Sequence, residues 1–404
     1  MRNKIILSHA TGNANVRGLL EGLIKNKALK RFYTCLAWSN SSLVLQVFSE
    51  FRKRSYDASI LNVTQRVPFK EFIRLLGQRF GWTYLIRHEK GQFSIDAVNR
   101  KLDKSVAQEL QAGDTLYAYE DAAYLSFTRL KEIGGTCIYD LPIGYWRAMR
   151  ELLNKERDNR PEWAMTITGF KDSDEKVMRK DKELQLADLI YVASSFTQYT
   201  LQAYPGKLAP IKVVPYGFPP VYSKRDYRVI NPGETLKLLF VGGLSQRKGI
   251  ANVFEAVEAF NSVSLTVIGR KPVANCKPLN ENLKKHRYIE SLEHNKVLEE
   301  MRNHDILLFP SLFEGYGLVI TEAMAQGTPV ITTTRTCGAD YIIEGKNGWL
   351  VQPGSTKAII DCLQEILRAP NSISKIGLEA QKTAELYPMS SYGQRLLTDL
   401  RSKC

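Results

Sequence analysis

Glu314 and Glu322, with seven residues between them, stand in the part of this 404-residue chain where residue types and spacing point most clearly to chemistry. Ahead of them, Asp305–Phe309 reads as a buried strand stopped by Pro310. After them, Leu318–Ala325 reads as a helix closed by Gly327, a common helix-ending residue. In an open α/β sheet, ligands bind in the crevice beyond the carboxyl ends of the strands, and the loop carrying Glu314 lies there. Gly315 and Gly317 let its backbone come close to a ligand. The start of the following helix presents amide hydrogens and a positive dipole end to an anion such as a diphosphate. Glu322, a turn into that helix, can accept hydrogen bonds from a vicinal diol, the group a ribose presents. Taken singly, Glu314 would read as a loop cap and Glu322 as a solvated helix residue. The strand, glycines, spacing and helix end together favour a nucleotide site.

Positioning such a loop requires a sheet, and the chain supplies the pattern twice. Short apolar runs alternate with helical-period segments throughout, which predicts an α/β fold with parallel sheets. The first half predicts strands at Lys4–Leu7, Thr34–Ala37, Ser59–Val63, Thr115–Ala118, Thr136–Tyr139, Leu189–Ala193 and Lys212–Pro215, with a helix from about Val16 after a turn at Gly12. Residues 219–235 are rich in proline and mixed charge without apolar periodicity, as an interdomain linker would be. The pattern then restarts with strands Leu236–Val241, Ser264–Ile268, Asp305–Phe309 and Val330–Thr333, a helix from Ile250, and a closing helix near Ser390–Arg401. Two Rossmann-like, doubly wound domains facing a cleft are expected, over residues 1–218 and 236–387. The C-terminal helix within 388–404 is expected to pack back on the first domain.

The segment Phe313-Glu314-Gly315-Tyr316-Gly317-Leu318-Val319, followed by Glu322-Ala323-Met324-Ala325 and Gly327-Thr328-Pro329-Val330, resembles the signature of retaining glycosyltransferases of the GT-B fold, family 4, also called group 1. The resemblance extends over about residues 236–352, including Phe240-Val241-Gly242-Gly243-Leu244, Lys248-Gly249 and Gly345–Val351. In the first half it is thinner, at Gly12, Ala193–Thr197 and Val214–Gly217. It implies a C-terminal domain that binds a nucleoside-diphosphate sugar and an N-terminal domain that binds a hydroxyl acceptor. The implied activity is hexosyl transfer with retention, in the making of a surface polysaccharide, a lipopolysaccharide or a glycolipid. Glu314 would lie near the donor sugar, Glu322 on the ribose, and Lys248 with Arg247 on the diphosphate. Fixed cations of this kind stabilise a departing diphosphate without a metal. The implied donor-binding set is Gly12, Gly243, Lys248, Ile289, Gly315, Tyr316, Gly317, Leu318, Val319 and Glu322, with base choice falling to backbone near Tyr288–Glu290. No cofactor is expected, and UDP and GDP lead among the carriers. Two positions depart from the pattern. Gly243 stands where an arginine is common, and Cys137–Tyr145 lacks the usual acceptor-side histidine, so His9 and Asp140 are the acceptor-side candidates.

Composition narrows the rest. A chain with 44% hydrophobic and 24% charged residues is globular, and its six cysteines are scattered singly, without metal-ligand spacing. No signal peptide or spanning segment is read, so a cytoplasmic location is expected, with the inner face of the cell membrane as a possible docking place. The formal charge of +14 is concentrated: residues 1–104 carry 19 Lys and Arg against 7 Asp and Glu, and the remainder 37 against 35. This suggests an acidic partner for the first domain, an anionic membrane surface, a phosphorylated lipid or nucleic acid, against the alternative of a generally basic, well-solvated surface. In the segment 69–80, Phe69, Phe72, Ile73, Leu76 and Phe80 share one helical face, with Arg52-Lys53-Arg54 nearby in sequence, as an interfacial helix or a core-packed one would arrange them. Asp172-Ser173-Asp174 sits in a mixed-charge stretch and is not read as a metal site. The rivals are a nucleotide-sugar epimerase or hydrolase on the same fold, a non-catalytic sugar-nucleotide-binding subunit, and a basic nucleic-acid-binding protein. The last lacks the aromatic–basic motifs of common RNA-binding modules.

Overall fold

The computed structural model describes residues 4–39, 42, 54–231 and 233–401. Along the first half run β1 (Ile5–Ser8), β2 (Leu29–Thr34), the two-residue strands β3 (Trp38–Ser39) and β4 (Ser55–Tyr56), β5 (Thr64–Arg66), β6 (Thr115–Tyr119), β7 (Thr136–Leu141), β8 (Leu189–Val192) and β9 (Ile211–Val213). All but the small β3–β4 pair form one parallel sheet in the order β5-β2-β1-β6-β7-β8-β9. The second half adds β10 (Leu236–Val241), β11 (Val263–Ile268), β12 (Arg287–Ile289), β13 (Ile306–Phe309), β14 (Val330–Thr333) and β15 (Trp349–Val351), in the order β12-β11-β10-β13-β14-β15. Helices cover both faces, so the central strands are buried on both sides. All four residues of β13 and all five of β6 are buried.

Each strand order reverses direction once, between β1 and β6 and again between β10 and β13. Connections leaving neighbouring strands for opposite faces open a crevice at such switch points, where ligands of this architecture bind. The loops entering those crevices follow β1, β10 and β13. They contain Gly12, Gly243–Lys248 and Glu314–Gly317.

Several sequence expectations shift. The strand expected at Thr34–Ala37 lies earlier, at Leu29–Thr34, because Lys30 and Arg31 interrupt its apolar pattern. They are exposed near the start of β2, paired with Asp114 and Glu109. Ser59–Val63 is no strand: Ala58–Leu61 forms a helical turn, and the polar edge strand β5 follows it. β9 ends at Val213, two residues before Pro215. The first helix begins at Ala14, capped by Asn13, whose side-chain oxygen accepts the Val16 N–H at 3.1 Å. β12 and β15, three residues each, are too short to stand out in a periodicity reading.

The chain crosses between the sheets twice at one place. Phe218 N–H donates to Tyr387 O at 2.9 Å and Met389 N–H to Phe218 O at 2.7 Å, so the outgoing and returning segments run side by side. The helix Tyr392–Arg401 then packs on the helix Ala14–Lys25 at a glycine-to-glycine crossing. A Cβ built on Gly393 would stand 2.4 Å from Gly18 O and 2.8 Å from Gly22 Cα. Tyr191 OH donates to Asp399 at 2.7 Å and Arg395 to Pro215 O at 2.8 Å, tying the helix to the first sheet. Gly393→Val should therefore push the two helices apart at a cost of roughly 1–3 kcal/mol. The expected result is a melting temperature several degrees lower and faster proteolytic release of the C-terminal helix. An unchanged melt would contradict the close crossing.

Candidate active site

The loop 310–317 is held from both sides. Beneath it, Gly249 adopts positive φ and lies so close that a Cβ would meet Pro310 O at 2.3 Å, while Leu312 N–H donates to Arg247 O at 2.8 Å. On the side of the first sheet, Phe313 is fully buried with Phe196 edge-on at 5.4 Å, above Gly144, where a Cβ would strike the Phe313 ring at 2.4 Å. Gly315 meets Pro142: a Cβ would lie 2.2 Å from its carbonyl oxygen. The Gly315 carbonyl accepts two hydroxyls from the first domain, Ser194 Oγ at 2.6 Å and Thr197 Oγ1 at 2.7 Å. Gly317, at φ +92°, turns the chain into the helix Leu318–Ala325. Tyr316 points back to the crossing segment, its hydroxyl accepting the Gly217 N–H at 2.9 Å.

Glu314, between the buried Phe313 and Gly315, faces the cations of the loop after β10. Its Oε2 accepts from Lys248 Nζ and lies 3.3 Å from an Arg247 guanidinium nitrogen, which also donates to Phe313 O at 2.6 Å. Burial pushes the Glu314 carboxyl up, but the Lys248 and Arg247 charges outweigh it and hold the group below the usual glutamate range. Lys248 stands over the Phe309 ring at 4.9 Å. The turn carrying both cations is clasped by the first domain. Ser245 Oγ donates to Thr166 O at 2.6 Å, Gln246 Nε2 donates to Glu156 at 2.6 Å, and Arg160 pairs with Glu255.

Glu322 projects from the helix after the loop and stays half-buried, its Oε1 4.0 Å from Nε2 of His294. Burial raises its pKa, partly offset by His294. His294 opens the helix after β12, so Glu322 and the carboxyl end of β12, with Ile289, share one side of the crevice. The Ile289 carbonyl accepts the Gly269 N–H at 3.0 Å. Leu318 and Val319 form the first turn of the Glu322 helix. Around Gly243 there is open space: a Cβ there would meet nothing within 4 Å.

In the first domain the candidates behave differently. His9 Nδ1 accepts the N–H groups of Thr11 (3.1 Å) and Gly12 (2.8 Å), and burial with the nearby Arg54 charge lowers its pKa to about 4. The neutral ring thus shapes the loop, and the Gly12 amide is committed to it. Tyr56 closes over Gly12, where a Cβ would fall 1.7 Å from the tyrosine hydroxyl. Asp140 does not face the crevice as an accessible carboxylate. It is 2% exposed within β7, accepts Tyr117 OH at 2.5 Å, and is pushed up to about 7 by burial. An acceptor hydroxyl cannot reach it there, because β7 turns Asp140 towards the layer of Tyr117, Tyr119, Tyr216 and Tyr392. Asp172 and Asp174 do not converge: Asp174 is exposed, and Asp172 pairs with Lys176 at 3.1 Å and Lys180 at 3.2 Å. His88 and Glu89 approach Asp172 closely enough to share an ion, but the two ammonium groups already neutralise that carboxylate.

Ser194 and Thr197 enter the sequence reading only within the thin resemblance at Ala193–Thr197, with no role, and Glu156 and Thr166 do not enter it. Ser194-x-x-Thr197 does carry a helix N-cap signal, and Ser194 Oγ accepts the Thr197 N–H at 3.1 Å. Nothing in the sequence tells that the same hydroxyl also donates across the cleft.

Removing the Glu314 charge leaves Lys248 without its counter-ion in a desolvated place. Glu314→Gln should destabilise the fold by about 3 kcal/mol at neutral pH. Because the folded-state pKa of Glu314 is depressed, its stabilisation is present in full above the ordinary glutamate value of about 4.3. It is lost as the pH falls through the lower folded-state value. Thermal melts of the two proteins should therefore differ at pH 7 and converge in acid. A constant difference down to low pH would contradict the ion pair.

Residues 224–383 match the profile of the family described as "Glycosyl transferases group 1". The chain is 24% identical over 237 residues to the capsular polysaccharide biosynthesis glycosyltransferase CapM of Staphylococcus aureus, covering 54% of this chain and 62% of that one. It is 30% identical over 138 residues to a phosphatidyl-myo-inositol mannosyltransferase of Mycobacterium leprae, covering 32% and 37%. These alignments thus span from about a third to under two thirds of the relatives' length. Among solved structures, sucrose-phosphate synthase from Thermosynechococcus elongatus superimposes with a TM-score of 0.68 at 16% identity, over 99% of each chain. Anabaena HepE, in complex with UDP and glucose, gives 0.62 at 15% identity, over 99% of this chain and 100% of that one.

Proposed function

We propose that this protein is a retaining, family 4 hexosyltransferase, a reading supported by the match of residues 224–383 to the group 1 glycosyltransferase profile and by the GT-B fold. It moves a sugar from a nucleoside-diphosphate donor to a hydroxyl acceptor. Residues 236–387 bind the donor, residues 1–218 the acceptor, and residues 219–235 link them. The observation that carries this reading is the convergence of Lys248 and Arg247 on one carboxylate at the β10–β13 switch point. A diphosphate entering the crevice supplies two or more anionic oxygens and can replace Glu314 as their partner. Glu314 is then released towards the donor sugar, between Gly315 and the first helical turn at Leu318 and Val319. Glu322 accepts from the ribose hydroxyls, and backbone beside Ile289 receives the base, uracil or guanine.

In the transfer, the acceptor oxygen forms its bond to the anomeric carbon on the face from which the diphosphate leaves. The bond to the leaving oxygen breaks with its electron pair, and a diphosphate oxygen takes the acceptor's proton. The chain's own part is electrostatic: two fixed cations and the loop amides meet the growing charge on the leaving group. The acceptor is a glycan or a lipid-linked sugar of a surface polysaccharide, lipopolysaccharide or glycolipid. The enzyme works in the cytoplasm, at the inner face of the cell membrane. The names of the capsular and phosphatidylinositol relatives support this setting.

Thermal unfolding against UDP, GDP, ADP, dTDP and CMP tests the donor site. A nucleotide at about 100 times its dissociation constant stabilises the folded protein by about 2.7 kcal/mol. The shift should come with one diphosphate and vanish in Glu322→Ala and Lys248→Ala. No shift with any nucleotide would sink the proposal. Gly243 offers a second test, since open space surrounds it. Gly243→Arg should add a charged hydrogen bond to the diphosphate, worth about 1.5 kcal/mol and so about a tenfold gain in affinity. Equal or weaker binding, measured by calorimetry, would place the phosphates elsewhere.

A further inference from the structure

The helix Pro68–Phe80 is turned inside out. An ordinary surface helix buries its apolar stripe and exposes its charges, yet here the residues buried are Glu71 and Gly77. Glu71, 0% exposed, is held between Arg54 (2.6 Å) and Arg74 (2.6 Å), and this ion triad anchors the helix to the body of the domain. The aromatic side chains are left facing outwards: Phe69 is 69% exposed, Phe80 61%, Trp82 45% and Tyr84 82%. Three of them are held by ring contacts, Phe80 and Trp82 stacked on each other at 5.7 Å and Phe69 edge-on to Phe93 at 6.1 Å.

The surrounding charge has one sign. Between residues 66 and 90 there are six Lys and Arg against two acids. Both acids are taken internally, Glu71 by its arginines and Glu89 by Ser173, whose N–H donates to it at 2.9 Å. Arg66, Arg87 and Lys90 are exposed. Arg52 and Lys53 lie outside the described residues. Among the described residues, no helix is long and apolar enough to cross a membrane.

We infer that this face docks on an anionic lipid surface, with the aromatic side chains among the headgroups and the basic residues at the phosphate level. Charge complementarity selects that occupant. Tryptophan and tyrosine favour the bilayer interface, and an aromatic face with a cationic rim suits an interfacial helix. The helix also stands on the cleft edge of the first sheet. Arg54, which grips Glu71, donates from its other nitrogen to Thr11 O at 2.8 Å, in the loop after β1. Docking would turn the acceptor side of the crevice towards the bilayer, so a lipid-linked acceptor could enter without leaving it. That last consequence rests on the transferase reading; the docking does not.

The test is co-sedimentation of the full chain with vesicles of phosphatidylcholine alone and with a third of phosphatidylglycerol. Binding at least about tenfold stronger to the anionic vesicles is expected, weakening with salt. Arg87→Glu with Lys90→Glu should lower it about 25-fold or more, at about fivefold per basic residue. Phe80→Ser with Trp82→Ser should abolish most of it. Both variants should keep the wild-type melt and its nucleotide shift, so loss of docking is separable from loss of the donor site. The inference is overturned by wild-type protein that ignores both vesicles or by folded variants that bind as before. It is also overturned by a face that only mediates self-association, disrupted by the same substitutions.

Discussion

The contact on which the rest of the site depends is the one between Gly315 and the first domain. Its missing side chain lets the loop backbone close on Pro142, and its carbonyl takes two hydroxyls from the far side of the cleft. With that residue fixed, Phe313 on one side fills an apolar pocket of the first domain. Tyr316 on the other side is tied to the crossing segment at Gly217. Glu314 is left with no freedom except towards Lys248 and Arg247. A carboxylate so far removed from water is tolerable only with matched cations, so packing and electrostatics at this point are one constraint.

The same constraint explains why the turn carrying the cations is clasped so heavily. Gln246, at the centre of that turn, is fully buried. It is hydrogen-bonded to Glu156 from one domain and Asn252 from the other. Lys248 and Arg247 are therefore positioned jointly by both halves of the chain, and the crevice is preorganised before any ligand enters. The cost is carried by buried polar groups in the first domain. Asp140 and Glu183 are pushed to about 7 and about 8 by burial, and each is satisfied by tyrosine hydroxyls or backbone N–H groups. They lie within or against the first sheet, behind its side of the crevice.

The two ends of the first domain's cleft edge are built on opposite principles. At the Gly12 loop a neutral histidine collects amide hydrogens and a tyrosine covers the glycine, so the backbone is sealed. A short distance along the same edge, Arg54 joins that loop to a helix whose one acid is buried and whose aromatic rings are outside. A periodicity reading sees the same apolar stripe in either orientation. Only the buried ion triad around Glu71 decides which face the helix turns to solvent.

Much of the second domain was legible in the sequence. The helix Leu318–Ala325 and β14 lie where strand and helix periods, Pro310, Gly317 and Gly327 place them, because those signals are local. Two strands at one side of the first sheet were harder: the edge strand β5 is Thr-Gln-Arg, with no apolar residue to mark it, and its neighbour β2 is broken by two exposed cations. Residue types and spacing by themselves placed Glu314 in a loop beyond a strand's carboxyl end and Glu322 on the helix that follows, while Lys248 and Arg247 joined them only through the family resemblance. Tertiary structure alone decided that Glu314 pairs with Lys248, that Asp140 is buried, and that Ser194 reaches Gly315, 121 positions away. These outcomes depend on which face of a strand or loop meets the other domain, and contacts between residues far apart in sequence leave no local pattern to read.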